Sequence, residues 1–228
     1  VGEWLIVAGL GAVAAVDTAA FFQGMFNQPL VICTLAGAAL GLPYEGAFFG
    51  GLLQLLWMGD LPVGNRLRPD IGPAAAGTAG GVLIAINAGF IDLGVGGLMV
   101  VLVTLPIAYL AGYLVRVQRD RRGRLARRAR TAVAAHHPGR LRWILLEGIL
   151  QSAVRGAVVT LAAAGLVRLI LELPWLSPLA NQVPPYALLA GMIGIGLGGM
   201  LGLFRNRELL LWIGGGLLCG TVAAVVLA

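Results

Sequence analysis

Long apolar runs separated by short polar breaks set the pattern of this chain. Six runs, residues 4–22, 73–91, 95–115, 146–171, 185–204 and 209–227, approach the ~20 residues a helix needs to cross a bilayer core of ~30 Å. Each predicts a transmembrane helix. Residues 29–59 differ, because two apolar pieces of about 14 residues meet there at "GLPYEG". Pro43 stops the first piece and Glu45 brings a charge. Each piece is short for a full crossing, so the segment is either a helical hairpin entering from one side or two short tilted spans. Non-helical backbone at that depth survives only where protein or a water-filled cavity surrounds it.

After Met58 the apolar pattern breaks again, into Asp60, Pro62, Asn65, Arg66, Arg68, Pro69, Asp70 and Pro73. The expected fold class is therefore an all-α integral membrane protein, with the six helices plus a broken-helix hairpin. An N-terminal membrane region spans 1–115, an Arg-rich loop 116–142, and the C-terminal membrane helices 143–228.

Composition supports this reading. Hydrophobic residues make up 59% of the chain and charged ones 11%, and the mean hydropathy is +0.90. That leaves too little polar surface to coat a soluble core, so lipid must cover much of the exterior. The 35 glycines suit close helix packing and broken helices. The first apolar run lacks a basic leading region and exceeds the length of a signal peptide's apolar core, so no cleavable signal is expected.

Charge changes the picture in one place. All 16 basic residues are arginine, and Arg116, Arg119, Arg121, Arg122, Arg124, Arg127, Arg128, Arg130, Arg140 and Arg142 share one connecting segment. The segment sits between two spans without interleaved aromatics for base stacking, so nucleic acid is not the expected partner. The positive-inside rule makes it cytoplasmic, beside anionic lipid head groups. Alternation then puts Arg66, Arg68, Arg205 and Arg207 inside, and Glu3, Asp92 and Glu172 outside. Arg155 and Arg168 fall within a span: Arg168 can snorkel outward, whereas Arg155 is expected to turn toward the protein interior or a partner.

Several chemistries find no support. Cys33 and Cys219 lack metal-ligand or disulfide spacing, and serine is limited to Ser152 and Ser177, which disfavours a Ser/His/Asp set. His136 and His137 read as a solvated pair, and "GIGLGG" at 194–199 follows no strand, so it reads as helix packing. No cofactor or metal is expected. What remains is a polar inventory in an apolar chain: Asp17, Gln23, Asn27, Gln28, Gln54, Asn65, Arg66 and Asp70, with Trp57 and Phe26 nearby in sequence. Carboxylates, amides and a guanidinium can bind a polyhydroxylated molecule, and an aromatic face can lie on a sugar ring. The bland alternative is that Asp17 pairs with an arginine and the amides cap helix breaks.

The stretch "FNQPLVICTLAGAALGLPYEGAFFGGLLQLLWMGDLPVGNRLRPD", residues 26–70, resembles the membrane IIC subunit of the mannose/fructose/sorbose group of the bacterial sugar phosphotransferase system. Pro29, Leu30, Leu35, Gly37, Leu40, Gly41, Gly50, Gly51, Gln54, Leu55, Trp57, Gly59, Pro62, Val63, Gly64, Pro69 and Asp70 fill matching places, and Asp17 followed by Gln23 matches upstream. The resemblance is strong over 17–81; beyond it only the order of spans is similar. Gln28 stands where many members keep Arg, Leu42 where they keep Asp, and Arg68 where they keep Pro or a small residue.

The resemblance implies a multi-pass subunit of the bacterial inner membrane that associates with a IID membrane subunit, forms oligomers and carries a sugar inward. Phosphorylation would be carried out by a cytoplasmic IIB subunit supplied through IIA, which makes this chain a non-catalytic permease subunit. Gln54, Asn65 and Asp70 would bind sugar hydroxyls near the open end of the hairpin. The departures at Gln28 and Leu42 leave a second reading open: a membrane sensor or anchor that moves nothing.

Overall fold

The computed structural model describes residues 2–19, 24–58, 69–173 and 183–203. These form seven helices, with no strand among the described residues: α1 (Gly2–Ala19), α2 (Pro29–Ala39), α3 (Pro43–Leu56), α4 (Ile71–Asn87), α5 (Leu93–Ala134), α6 (Pro138–Leu171) and α7 (Pro185–Leu203). Five of the six expected spans correspond to α1, α4, α5, α6 and α7. The sixth, 209–227, lies outside the described residues, as does Cys219. By length and composition α5 and α6 can each cross a bilayer; α2 and α4 are shorter apolar helices.

The two short pieces are α2 and α3. Pro29 and Pro43 sit in their first turns, where an absent N–H removes no helical bond. Past α2 the N–H of Leu42 returns to the Gly37 carbonyl at 2.8 Å, and Gly41 takes φ +82°, a left-handed turn open to glycine at little cost. At 1.5 Å per residue, the 11 residues of α2 and 14 of α3 reach only ~17 and ~21 Å. Each is shorter than the ~30 Å of a bilayer core, as expected for either a hairpin or two short tilted spans. The two helices run antiparallel in backbone contact: a methyl group on Gly46 would strike the Cys33 carbonyl oxygen, and one on Gly50 would meet Leu30 and the Pro29 carbonyl.

The hairpin lies along α4, the axis of the bundle. Every residue of α4 from Gly72 to Leu83 is buried, and the run "GPAAAGTAGG" explains why. Small side chains let neighbouring backbones approach, which is how helices associate where water cannot drive them together. Gly77 meets the backbone of Thr160 on α6, Gly80 meets Val7 on α1, and Gly81 meets Ala164. Gly11 on α1 and Gly156 on α6 meet in the same way. Larger side chains, among them Ile32, Phe49, Leu53, Val82, Val100 and Val167, fill the remaining core. Its hydroxyls are paired: Thr78 with Thr104 at 2.5 Å, and Thr160 onto the Pro73 carbonyl at 2.9 Å. At the tip of the hairpin, Asn87 Nδ2 donates to the Leu40 carbonyl at 2.9 Å, so the hairpin follows α4 to its C-terminal end.

The segment 116–142, expected as a loop, is helical. α5 continues unbroken through Ala134, and α6 begins at Pro138 after Ala135, His136 and His137. Arg, Ala and Leu are strong helix formers, so the charge run does not interrupt the helix that enters it. Arg116, Arg119, Arg121, Arg124, Arg127, Arg128 and Arg130 are exposed, while Leu125 and Ala132 are buried, giving the extension a narrow apolar seam. Arg128 faces Glu147 across the two helices at 3.7 Å, an exposed pair. Asp92 begins α5 as an N-cap, accepting the Val95 N–H at 2.9 Å. Arg168 lies exposed beside Glu172, in keeping with an outward course.

Candidate functional site

The N-terminus of α4 collects most of the polar residues that precede it in sequence. A helix start leaves backbone N–H groups without intrahelical partners, and here one is met from another segment: Asn27 Oδ1 accepts the Gly72 N–H at 3.1 Å. Asn27 is itself held by Asp17. Near the end of α1 this buried carboxylate takes the Gly24 N–H on Oδ1 at 2.5 Å and the Asn27 N–H on Oδ2 at 3.1 Å. It thus clamps a turn in which Met25 adopts φ +66°. Among the described residues both oxygens of Asp17, expected as a sugar ligand or as the partner of an arginine, accept backbone N–H groups.

Beside Asn27, Gln28 is the N-cap position of α2, and its Oε1 accepts from Gln54 Nε2 on α3 at 3.1 Å. The Gln54 Oε1 is buried and meets no donor among the described residues. Trp57 is the C-cap of α3, and its ring packs half-buried against the core with Leu56. Gln23, Asn65 and Arg66 lie outside the described residues.

Asp70 occupies the N-cap position of α4 yet does not cap it. Its N–H goes to the Ala108 carbonyl on α5 at 2.9 Å, and its carboxylate turns to α6, where Oδ2 pairs with Arg155 Nη1. Both side chains are buried, 2% exposed for Asp70 and 9% for Arg155. Such burial is tolerable for an ion pair only when both members stay matched. Arg155 Nε donates to Gln118 Oε1 of α5 at 2.8 Å, and Gln118 and Arg122 both donate to the Ser152 hydroxyl. The Asp70 Oδ1 is buried with no donor among the described residues.

The structure therefore joins Gln54, Gln28, Asn27 and Asp70 around one helix start. Two buried acceptors of this set, an amide oxygen of Gln54 and a carboxylate oxygen of Asp70, meet no donor among the described residues. Hydroxyl groups are the donors such oxygens lack. Arg155 as the partner of Asp70, with Gln118, Ser152 and Arg122 behind it, was not among the candidate binding residues. Its signal was present, since an arginine inside an apolar span asks for a partner. The partner was hidden by 85 positions of intervening chain. Among the described residues no cluster of His, Cys, Asp and Glu could hold a metal.

Comparison with known proteins agrees with this architecture. The family described as the PTS system sorbose-specific IIC component matches residues 3–173. The fructose permease IIC component of Bacillus subtilis (strain 168) is 34% identical over 104 residues, 46% of this chain and 35% of that protein. The PTS system mannose-specific EIIC component of Escherichia coli (strain K12) is 25% identical over 158 residues, 69% of this chain and 54% of that one. The matches thus span about a third to a half of those relatives. Among solved structures, a chain of the mannose transporter ManYZ in complex with microcin E492 superposes with a TM-score of 0.57 at 21% identity, covering 98% of this chain and 93% of that chain. This likeness concerns the fold, an all-helical membrane protein.

Proposed function

The chain belongs to the family of sorbose-specific IIC components of the PTS, and from that membership we propose that it is the subunit through which a sugar crosses the membrane inward. A IIB partner then phosphorylates the sugar on the cytoplasmic side, and a IID subunit completes the membrane unit. The Arg-rich ends of α5 and α6 face the cytoplasm in this reading, as the positive-inside rule asks.

The observation that carries the proposal is the pair of buried acceptors, Gln54 Oε1 and Asp70 Oδ1, that meet no donor among the described residues, near the open end of a broken-helix hairpin. Transporters place solutes at interrupted helices, where side chains and freed backbone groups can meet a guest away from lipid. A hexose supplies several hydroxyl donors to such a place. Asn27 and Asp17 shape its floor by fixing the turn and the helix start, and Asn65 and Arg66 belong to the segment that borders it in sequence.

The test is uptake into proteoliposomes holding this chain with its IID partner, with IIB, IIA and a phosphoenolpyruvate-driven phosphoryl supply on the cytoplasmic face. Labelled mannose, fructose and sorbose are the probes, after the sugars that relatives are named for. The expected result is accumulation of at least one as its phosphate, lost in Gln54→Leu and in Asp70→Asn. A complete partner set that accumulates none of the three would overturn the assignment.

A further inference from the structure

We propose that Arg155 is a positioning residue of the sugar site: held by Gln118, it binds one oxygen of Asp70 and leaves the other as an ionised, oriented acceptor for a sugar hydroxyl. The inference rests on the reading of Asp70 as a sugar ligand.

Three observations lead to it. First, the Asp70 carboxylate is used unevenly, with Oδ2 on Arg155 Nη1 and Oδ1 buried without a donor among the described residues. An ion pair that served stability alone would engage both oxygens with a two-pronged guanidinium, since that is its most favourable geometry. Second, Arg155 is held from behind: its Nε donates to Gln118 Oε1 at 2.8 Å while its Nη1 reaches Asp70. Gln118 in turn lies against Ser152, whose hydroxyl returns to the Gly148 carbonyl at 3.0 Å, so α5 and α6 together fix the guanidinium. Third, Asp70 does not cap its own helix; Asn27 from another segment serves the Gly72 N–H, which leaves the carboxylate for other work.

The physical consequence concerns charge. A carboxylate removed from water keeps its charge only beside a counter-ion. Arg155 supplies that counter-ion from α6, and the other charged group in the network, Arg122 of α5, donates to Ser152. Asp17 of α1 is spent on the Gly24 and Asn27 N–H groups. Arg155 is thus the cation that contacts Asp70, and the place of its charge beside Oδ2 sets which oxygen stays available.

The experiment is a double-substitution cycle on the purified complex with its membrane partner, reading equilibrium binding of labelled mannose, fructose and sorbose. Asp70→Asn alone should weaken binding of the accepted sugar by ~10-fold or more, the cost of a hydrogen bond to a charged acceptor. Arg155→Gln should weaken it by a similar factor. In the Asp70→Asn background, however, Arg155→Gln should add less than a further ~2-fold, because both changes disable the same oxygen. Arg155→Lys, which restores the cation, should recover most of the affinity. Melting of each variant in detergent separates binding loss from unfolding. If Arg155→Gln does not fold, the charge-free pair Asp70→Asn/Arg155→Gln and the Arg155→Lys variant still carry the comparison.

Independent, additive losses would overturn the positioning role, as would an Arg155→Gln protein that is folded and binds sugar like the parent. A further contrary outcome is a pair variant well below Asp70→Asn alone. An Asp70→Asn protein that binds sugar normally would instead overturn the underlying site assignment.

Discussion

Two buried carboxylates approach the same helix start and end in opposite states. Asp17 accepts two backbone N–H groups, one on each oxygen, from residues within ten positions of it. Asp70 gives one oxygen to an arginine of another helix and, among the described residues, leaves the other without a donor. The first is closed and builds the loop between α1 and α2. The second keeps an oxygen that meets no donor among the described residues. The difference separates structure from function in this bundle: acceptor content is alike, and what differs is whether the fold uses it up.

Substitutions can break or sharpen that contrast. The largest effect is expected from Arg155→Leu, which strands the Asp70 charge in the bundle and should cost about 3–5 kcal/mol. Adding Asp70→Asn should return most of that loss in thermal unfolding of the detergent-purified protein. Asp17→Ala comes next, at about 2–3 kcal/mol, because two N–H groups of a tight turn lose a charged acceptor. Sugar affinity should follow stability there and not fall independently.

Asn27→Ala should cost about 1 kcal/mol, the value of a lost helix-start acceptor at Gly72. Gln54→Leu closes the series, with a stability change within about 1 kcal/mol, because an open acceptor gives way to an apolar group of similar size. Yet that smallest change should remove sugar binding. A Gln54→Leu protein that is as destabilised as Asp17→Ala but binds sugar normally would dissolve the distinction between closed and open groups.

Much of this was readable in the sequence. The runs that become α1, α4, α5, α6 and α7 announce themselves by length, and Pro29, Pro43 and Gly41 mark the hairpin because each changes the backbone at its own position. Arg155 was legible as an intramembrane charge turned inward. The helical course of 116–134 was missed because a charge run was taken for a loop, although its residues favour helix. Trp57, an expected face for a sugar ring, packs half-buried against the core. An aromatic near an amide has the same composition in either role.

By itself, then, the sequence determined that the chain belongs in a membrane, which apolar runs become helices, and where the hairpin turns. Those properties add residue by residue, through transfer energy and backbone freedom. Only the tertiary structure decided that Asp70 meets Arg155, that Asn27 serves Gly72, and that Asp17 holds the Gly24 and Asn27 N–H groups. Hydrogen bonds and buried ion pairs act over a few ångströms, and only the packing of α4 against α1, α5, α6 and the hairpin brings those groups within reach.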